Sequence, residues 1–278
     1  MADPRTLLSG VVFGESVRWR DGWVWFADWG AREIVRVRVG GGREVVARMP
    51  VFPFSIDWLP DGRLLIVSNR LQRREPDGSL MTHADLSHLA AGWNELVVDG
   101  RGNAYVNQAG FDLMAGAPAA AGTIALVTPE GAVRQVADEV WFPNGMAVTP
   151  EDATLIVAES YRNRLTAFDL DPDGGLSNRR VWADLGDGVP DGICLDAEGA
   201  LWYADVPNRR CVRVREGGRV LQTITVDRGC FSCALGGPDG RTLFIAATDW
   251  RGPERMFAGE PSGLLLAVDV QVPGAGHP

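Results

Sequence analysis

A plan of about forty residues recurs six times along this 278-residue chain, and no other feature restricts the possible folds as strongly. In the first copy a polar residue, Glu15, opens a short strand, a glycine-containing turn follows, and a second apolar strand ends on Asp28. The plan restarts at Ser55, Asn94, Asn144, Asp191 and Ser232, at spacings of 40, 39, 50, 47 and 41 residues. A mean of about 43 is the period of a β-propeller blade. Each copy runs on into further strand-like text, such as residues 164–170 and 211–215. With the usual four strands per blade, six copies predict roughly twenty-four strands around a central channel. The chain is therefore read as an all-β, six-bladed β-propeller, a single domain over residues 1–278. Its last apolar run, 264–272, should close the ring against residues 7–13.

Composition agrees where it bears on this reading. Thirty-four glycines and seventeen prolines are a heavy turn load for a helical protein. Asp21-Gly22, Asp61-Gly62 and Asp239-Gly240 supply the backbone freedom of tight strand connections. Only residues 82–91 read as a short helical turn. The formal charge of −9 argues against nucleic acid or an anionic membrane as partner and leaves a small molecule. A monomer or weak homo-oligomer is expected. The chain starts without a basic-then-apolar leader and has no run of eighteen apolar residues, which points to a cytoplasmic protein. Its four cysteines are expected there as reduced, buried thiols.

All 27 basic residues are arginine, and the histidines are only His83, His88 and His277. Schiff-base chemistry, a phosphate-loop lysine and a three-histidine zinc site are thereby removed. Any chemistry must rest mainly on carboxylates, amides and hydroxyls. Four openers supply such groups in one register: Glu15, Asn94, Asn144 and Asp191. The residues two and four further on are apolar, so by period-two alternation each opener should share a strand face with them. In a propeller, residues one blade apart converge on the axis. Two carboxylates and two amides make a hard set of four oxygen ligands carrying charge −2. That set suits one divalent cation, calcium first, with magnesium, manganese, zinc or iron as alternatives. The fold expectation thus includes a central metal site. Two plainer readings compete. Asn144-Gly145 and Asp191-Gly192 are common turn dipeptides, and the opener could simply hydrogen-bond buried backbone around the axis. Ser55 and Ser232 fill the same register in the remaining copies and are candidate cavity-lining residues.

The segments Gly14-Glu15-Ser16, Trp93-Asn94-Glu95-Leu96-Val97-Val98-Asp99, Phe142-Pro143-Asn144-Gly145-Met146-Ala147, Pro190-Asp191-Gly192 and Cys230-Phe231-Ser232-Cys233 resemble the senescence marker protein 30/gluconolactonase/luciferin-regenerating enzyme (regucalcin-like) family. The resemblance covers essentially the whole chain. It implies a divalent metal held by Glu15, Asn144 and Asp191, with Asn94 beside it as ligand or substrate contact. It also implies metal-dependent hydrolysis of lactones, with organophosphates an alternative substrate class. Asp191 is the candidate general base and Asn94 the group that orients the substrate oxygen. Sugar-lactone members often carry an arginine at the position of Gly92, and its absence here points to a less polar lactone. Phe13, Trp93, Phe111, Trp141, Phe142 and Tyr161 are expected near the channel mouth as an apolar substrate-binding rim. A binding scaffold with a purely structural cation is the reading from a different class.

Other signals carry less. Residues 169–174 match the start of a calcium-binding loop, but Arg180 stands where a glutamate is needed, so an outer hairpin is expected. Cys230-x-x-Cys233 has no second pair and reads as structural. Gly40-Gly41-Gly42 reads as a plain loop. His83 and His88 fall in the blade-two connection, where a place on the pocket rim is open to either.

Overall fold

A computed structural model describes residues 3–90 and 92–276. His277 and the last residue of the 82–91 segment lie outside the described residues. Blade one comprises β2 (Gly14–Arg20), β3 (Trp23–Asp28), β4 (Glu33–Arg38) and β5 (Arg43–Arg48), after β1 (Arg5–Val11). Blade two holds β6 (Ser55–Trp58), β7 (Leu64–Val67), β8 (Leu71–Arg74) and β9 (Leu80–Ala84). Blade three holds β10 (Glu95–Val98), β11 (Ala104–Gln108), β12 (Gly122–Val127) and β13 (Val133–Val140). Blade four holds β14 (Pro143–Val148), β15 (Thr154–Glu159), β16 (Arg164–Leu170) and β17 (Leu176–Asp184). Blade five holds β18 (Pro190–Leu195), β19 (Leu201–Asp205), β20 (Arg210–Val214) and β21 (Val220–Thr225). Blade six holds β22 (Gly229–Gly236), β23 (Thr242–Thr248) and β24 (Gly263–Asp269), and β1 completes it. All six are antiparallel four-stranded sheets, giving a six-bladed β-propeller.

The ring closes as the repeat predicts: β1 pairs antiparallel with β24, Arg5 opposite Ala267. The chain's first strand thus completes its last blade. The apolar core is divided into six clusters, one at each blade interface. Alternating side chains of each strand serve the interfaces on its two sides, which is why the inner strands are apolar on both faces. The three Asp-Gly pairs sit in the tight turns between first and second strands, with Gly22, Gly62 and Gly240 at positive φ. The 82–91 expectation fails in its first part: Thr82 to Ala84 belong to β9, and the turn is confined to Leu86–Ala90, where Ala90 N–H bonds Leu86 C=O. Pairing with β8 outweighs helix propensity there. Residues 171–175 form the outer hairpin between β16 and β17, with Asp169 bound to Arg180 and Asp173 to Arg134. Among the described residues no helix is long and apolar enough to cross a membrane.

The inner strands are less regular than alternation assumes. Register shifts fall between Glu15 and Arg18, between Pro143 and Met146, and between Pro190 and Ile193. These irregularities sit at the openers of blades one, four and five, and they turn the side chain away from the face set by period two. Glu15, Asn144 and Asp191 therefore do not share a simple strand face with the apolar residues two further on. Gly145 and Gly192 lie inside strands rather than in turns. A Cβ on Gly145 would stand 2.6 Å from the backbone of Asp191 and of Ile193, and one on Gly192 would stand 2.7 Å from Ser232 Cα. Close approach of neighbouring inner strands at the axis, not turn chemistry, requires these glycines.

Candidate active site

At one end of the axis lies a cavity of about 970 Å³. Glu15, Asn94, Asn144 and Asp191 all line it, together with Ser160. The openers of blades one, three, four and five are thus brought together from positions up to 176 residues apart. Glu15 and Asp191 are only 6% and 8% exposed, and the two asparagines are half-buried. Asn94 Nδ2 donates to Asn144 Oδ1 at 3.3 Å, and Asn144 Nδ2 lies 3.4 Å from Ser160 Oγ. Ser160 Oγ donates to Pro190 C=O at 2.7 Å, tying the first turn after β15 to the start of β18. Asn107 Nδ2 donates to the backbone oxygen of Asn144 at 2.7 Å.

The carboxylates of this floor are poorly compensated. Asp191 Oδ1 is buried with no hydrogen-bond partner. Burial, then the charges of Asp191 and Glu95, push the Glu15 carboxyl well above its usual range. Burial, then Glu95 and the Cys233 thiol, do the same to Asp191. Three buried carboxylates, Glu15, Glu95 and Asp191, face one buried guanidinium, Arg18, which reaches Glu95 at 3.2 Å. Ionised together they leave two negative charges without a partner. An unpaired buried charge is costly, so such a cluster needs either protons or a cation. Among the described residues no three His, Cys, Asp or Glu side chains converge on one metal position. A cation here would therefore need the amide oxygens of Asn144 and Asn94 beside Glu15 and Asp191. This oxygen-only donor set, one of its carboxylate oxygens buried without a partner, fits a hard divalent ion.

The other expected residues divide. Phe13, Phe111, Phe142 and Tyr161 line the cavity, and the last three pack on one another, Phe142 on Tyr161 at 4.7 Å. Trp93 is corrected: it is fully buried in the apolar cluster between blades two and three. It precedes the inner strand by two residues, and the chain there points into the blade seam rather than the channel. Trp141 is also outside the lining; its ring lies 4.4 Å from the guanidinium of Arg162. Ser55 and Ser232 do not line the cavity either. Ser232 Oγ accepts the N–H of Val17, which the irregular pairing of β2 leaves without a strand partner. The plainer reading of the opener position, as a backbone hydrogen-bonding site, describes that serine. His83 lies on β9 and His88 in the connection after it, and neither lines the cavity. The four cysteines are free and buried, gathered between blades five and six, with Cys194 and Cys233 Sγ 4.0 Å apart.

Sequence reasoning missed several neighbours. Arg18 and Glu95 sit beside openers, and an acid directly following Asn94 was a visible signal. Trp29, Phe52, Phe231, Trp250 and Met256 complete the wall from blades one, two and six. Trp250 and Met256 come from a loop that no repeat copy announces.

The SMP-30/Gluconolactonase/LRE-like region matches residues 13–249. The chain belongs to this family. It is 32% identical over 162 residues to the 6-deoxy-6-sulfogluconolactonase of Pseudomonas putida, covering 56% of each chain. It is also 32% identical over 150 residues to regucalcin of Xenopus laevis, covering 50% of each. The match thus spans about half the length of these curated relatives. A calcium-binding protein, regucalcin, from Agrobacterium tumefaciens superposes with a TM-score of 0.80 at 24% identity, covering 100% of this chain and 97% of that one. A gluconolactonase from Xanthomonas campestris does so with a TM-score of 0.76 at 23%, covering 98% and 90%. At these identities the superpositions establish the shared six-bladed fold.

Proposed function

We propose that the protein is a cation-dependent hydrolase that opens a lactone ring less polar than a sugar lactone. The observation that carries this reading is the buried Asp191 Oδ1, left without a partner beside a second desolvated carboxylate and two amides at the floor of an apolar cavity. Glu15, Asn144 and Asp191 would hold a divalent cation, with Asn94 as a further ligand or substrate contact. Calcium is the first choice because the donors are all oxygen and one structural relative is described as calcium-binding; magnesium, manganese, zinc and iron are alternatives. When bound, such an ion supplies electrophilic polarisation of the ester carbonyl.

The chain's own groups do the remaining work. Asn94 Nδ2 orients the substrate oxygen. Asp191 removes a proton from the attacking water as the water oxygen bonds to the carbonyl carbon. The ring C–O bond then breaks, and the proton held by Asp191 passes to the departing ring oxygen, giving a hydroxy acid. The aromatic walls exclude bulk water and bind the apolar part of the substrate. Family membership and the gluconolactonase names among the relatives support the reaction class. Gly92, where sugar-lactone members often carry arginine, and the aromatic lining support the less polar substrate. Walls without arginine or histidine also suit a neutral organophosphate triester, the second reading on the same floor. The protein would act in the cytoplasm on a small molecule, as a monomer or weak homo-oligomer.

The test is hydrolysis of lactones from polar sugar to apolar aliphatic, beside an organophosphate triester, with and without chelator. Chelation should abolish turnover, and Asp191→Ala should lose both bound cation and activity. A fully active Asp191→Ala protein would sink the reading.

A further inference from the structure

Two loops distant in sequence line the same cavity. The connection 109–121 leaves blade three and the connection 249–262 leaves blade six, and these are the longest among the described residues. In a ring of six, blades three and six stand opposite each other across the axis. The first loop brings Phe111, Leu113 and Met114 to the cavity, and the second brings Trp250 and Met256. Loops of this length in a compact fold usually carry function.

Exposure marks the same place. Met114 and Tyr161 are each 44% exposed and Trp250 38%, and these three are among the seven large apolar residues that the described surface exposes. All three line this one cavity. Exposed apolar groups gathered at a cleft mark a ligand contact. Behind Trp250 the wall is continuous: its ring lies 5.7 Å from Phe231 and 6.2 Å from Phe13. Facing it, Phe111 packs against Phe142 and Tyr161.

Charge decides what such a cleft can hold. The chain has 27 arginines, yet no arginine or histidine appears among the described lining residues. The ionisable carboxyls on the wall are Glu15, Asp112 and Asp191. Away from the floor that would hold the cation, an anionic group on the substrate's substituent would lose its hydration and find no cationic side chain in return. The volume of about 970 Å³ lies near the upper end of small-molecule pockets, far beyond what a bare lactone ring fills.

We infer that the substrate is an uncharged lactone carrying a bulky apolar substituent, aryl or long alkyl, clamped between loops 109–121 and 249–262. This rests on the lactone-hydrolase reading for the ring, but the clamp can be tested without turnover. Three δ-lactams, which the enzyme should not open, serve as probes for calorimetry on the full chain with calcium: unsubstituted, phenyl-substituted, and carboxylate-bearing at the ring position that otherwise carries the phenyl group, away from the carbonyl. Burial of the phenyl group should tighten binding about 10- to 100-fold over the bare ring. The carboxylate-bearing lactam should bind no better than the bare ring. Trp250→Ala, a rim substitution that spares the blade cores, should remove about fivefold or more of the phenyl gain. Met114→Arg, at an exposed site, should improve binding of the carboxylate-bearing lactam about two- to fivefold at low salt. A phenyl lactam that binds no tighter than the bare ring overturns the inference, as does a carboxylate-bearing one that equals it, even in a protein that opens lactones. If the phenyl lactam binds as expected and no lactone is opened, the hydrolase reading falls and the apolar clamp stands.

Discussion

Blades one and five each bury an acid that opens the first strand and an acid that ends the second, and the two have opposite fates. The acid that ends the second strand is fully partnered. Asp28 accepts the backbone N–H groups of Val12, Phe13 and Ala31. Asp205 accepts from Val189 N–H, Asn208 and Arg210. In blade four Glu159 plays the same part, bound by Trp141 N–H, Arg164 and Thr166. The acids that open the first strand, Glu15 and Asp191, are equally buried but face one another's charge, and Asp191 keeps an oxygen with no partner. The closing acids stitch the chain entering a blade to its second strand, so their burial is structural. The opening acids are buried without such partners, the condition that the proposed cation would relieve.

The strongest way to break this contrast is to neutralise one acid of each kind in the same blade. Asp191→Asn should lower kcat/KM about 10²- to 10⁴-fold, with no loss of thermal stability in chelator. Asp205→Asn should leave kcat/KM near the starting value and cost about 2–3 kcal/mol by urea denaturation. Equal behaviour of the two variants would remove the distinction.

Cation binding should show the next largest effect. Saturation with calcium at about 100 times Kd should stabilise the protein by about 2.7 kcal/mol, roughly 5–10 °C in Tm for a chain of this size. Glu15→Gln should erase that shift, whereas Asp28→Asn should keep it from a lower starting Tm. Differential scanning fluorimetry reads both.

Acid titration sharpens the contrast through its sign. Burial acts to raise the Glu159 carboxyl, but Thr166, Trp141 N–H and Arg164 outweigh it and hold it below the ordinary 4.5. The unfolded chain then binds the extra proton, so this contribution is present above about pH 4.5 and is lost as pH falls through the lowered value. Urea midpoints between pH 5 and pH 3 should fall less steeply in Glu159→Gln. In chelator the opening acids run the other way. Their raised values give stability that is full below the ordinary carboxylate range and lost as pH rises, so Asp191→Asn should flatten that decline. The smallest effect concerns the serine that replaces an acid at the blade-six opener. Ser232→Ala should cost about 1 kcal/mol through the freed Val17 N–H and leave turnover within twofold.

The blade boundaries were legible because a strand's two-residue period and its glycine turns are local properties. The openers were legible because one blade's spacing recurs, and recurrence in a ring means convergence. Alternation misled at the openers themselves, since the irregular pairing between Glu15 and Arg18 changes which way the side chain points without changing the composition. Trp93 was misplaced for a related reason: two residues before a strand, nothing local says whether an aromatic ring turns to the channel or to the seam between blades. Trp250 and Met256 gave no signal at all, because a loop's partners across the axis are set by ring closure.

By itself the sequence determined six blades, an all-β ring closed by its own first strand, and four oxygen-bearing openers in one register. Those follow from periodicity, which short-range sterics and burial impose residue by residue. Only the tertiary structure decided that in blades one and five the acid ending the second strand is satisfied while the acid opening the first is not, and that loops from opposite blades supply an apolar wall free of arginine and histidine. Both depend on which groups stand within hydrogen-bonding or van der Waals reach once the ring has closed, and that distance is not encoded in any single repeat.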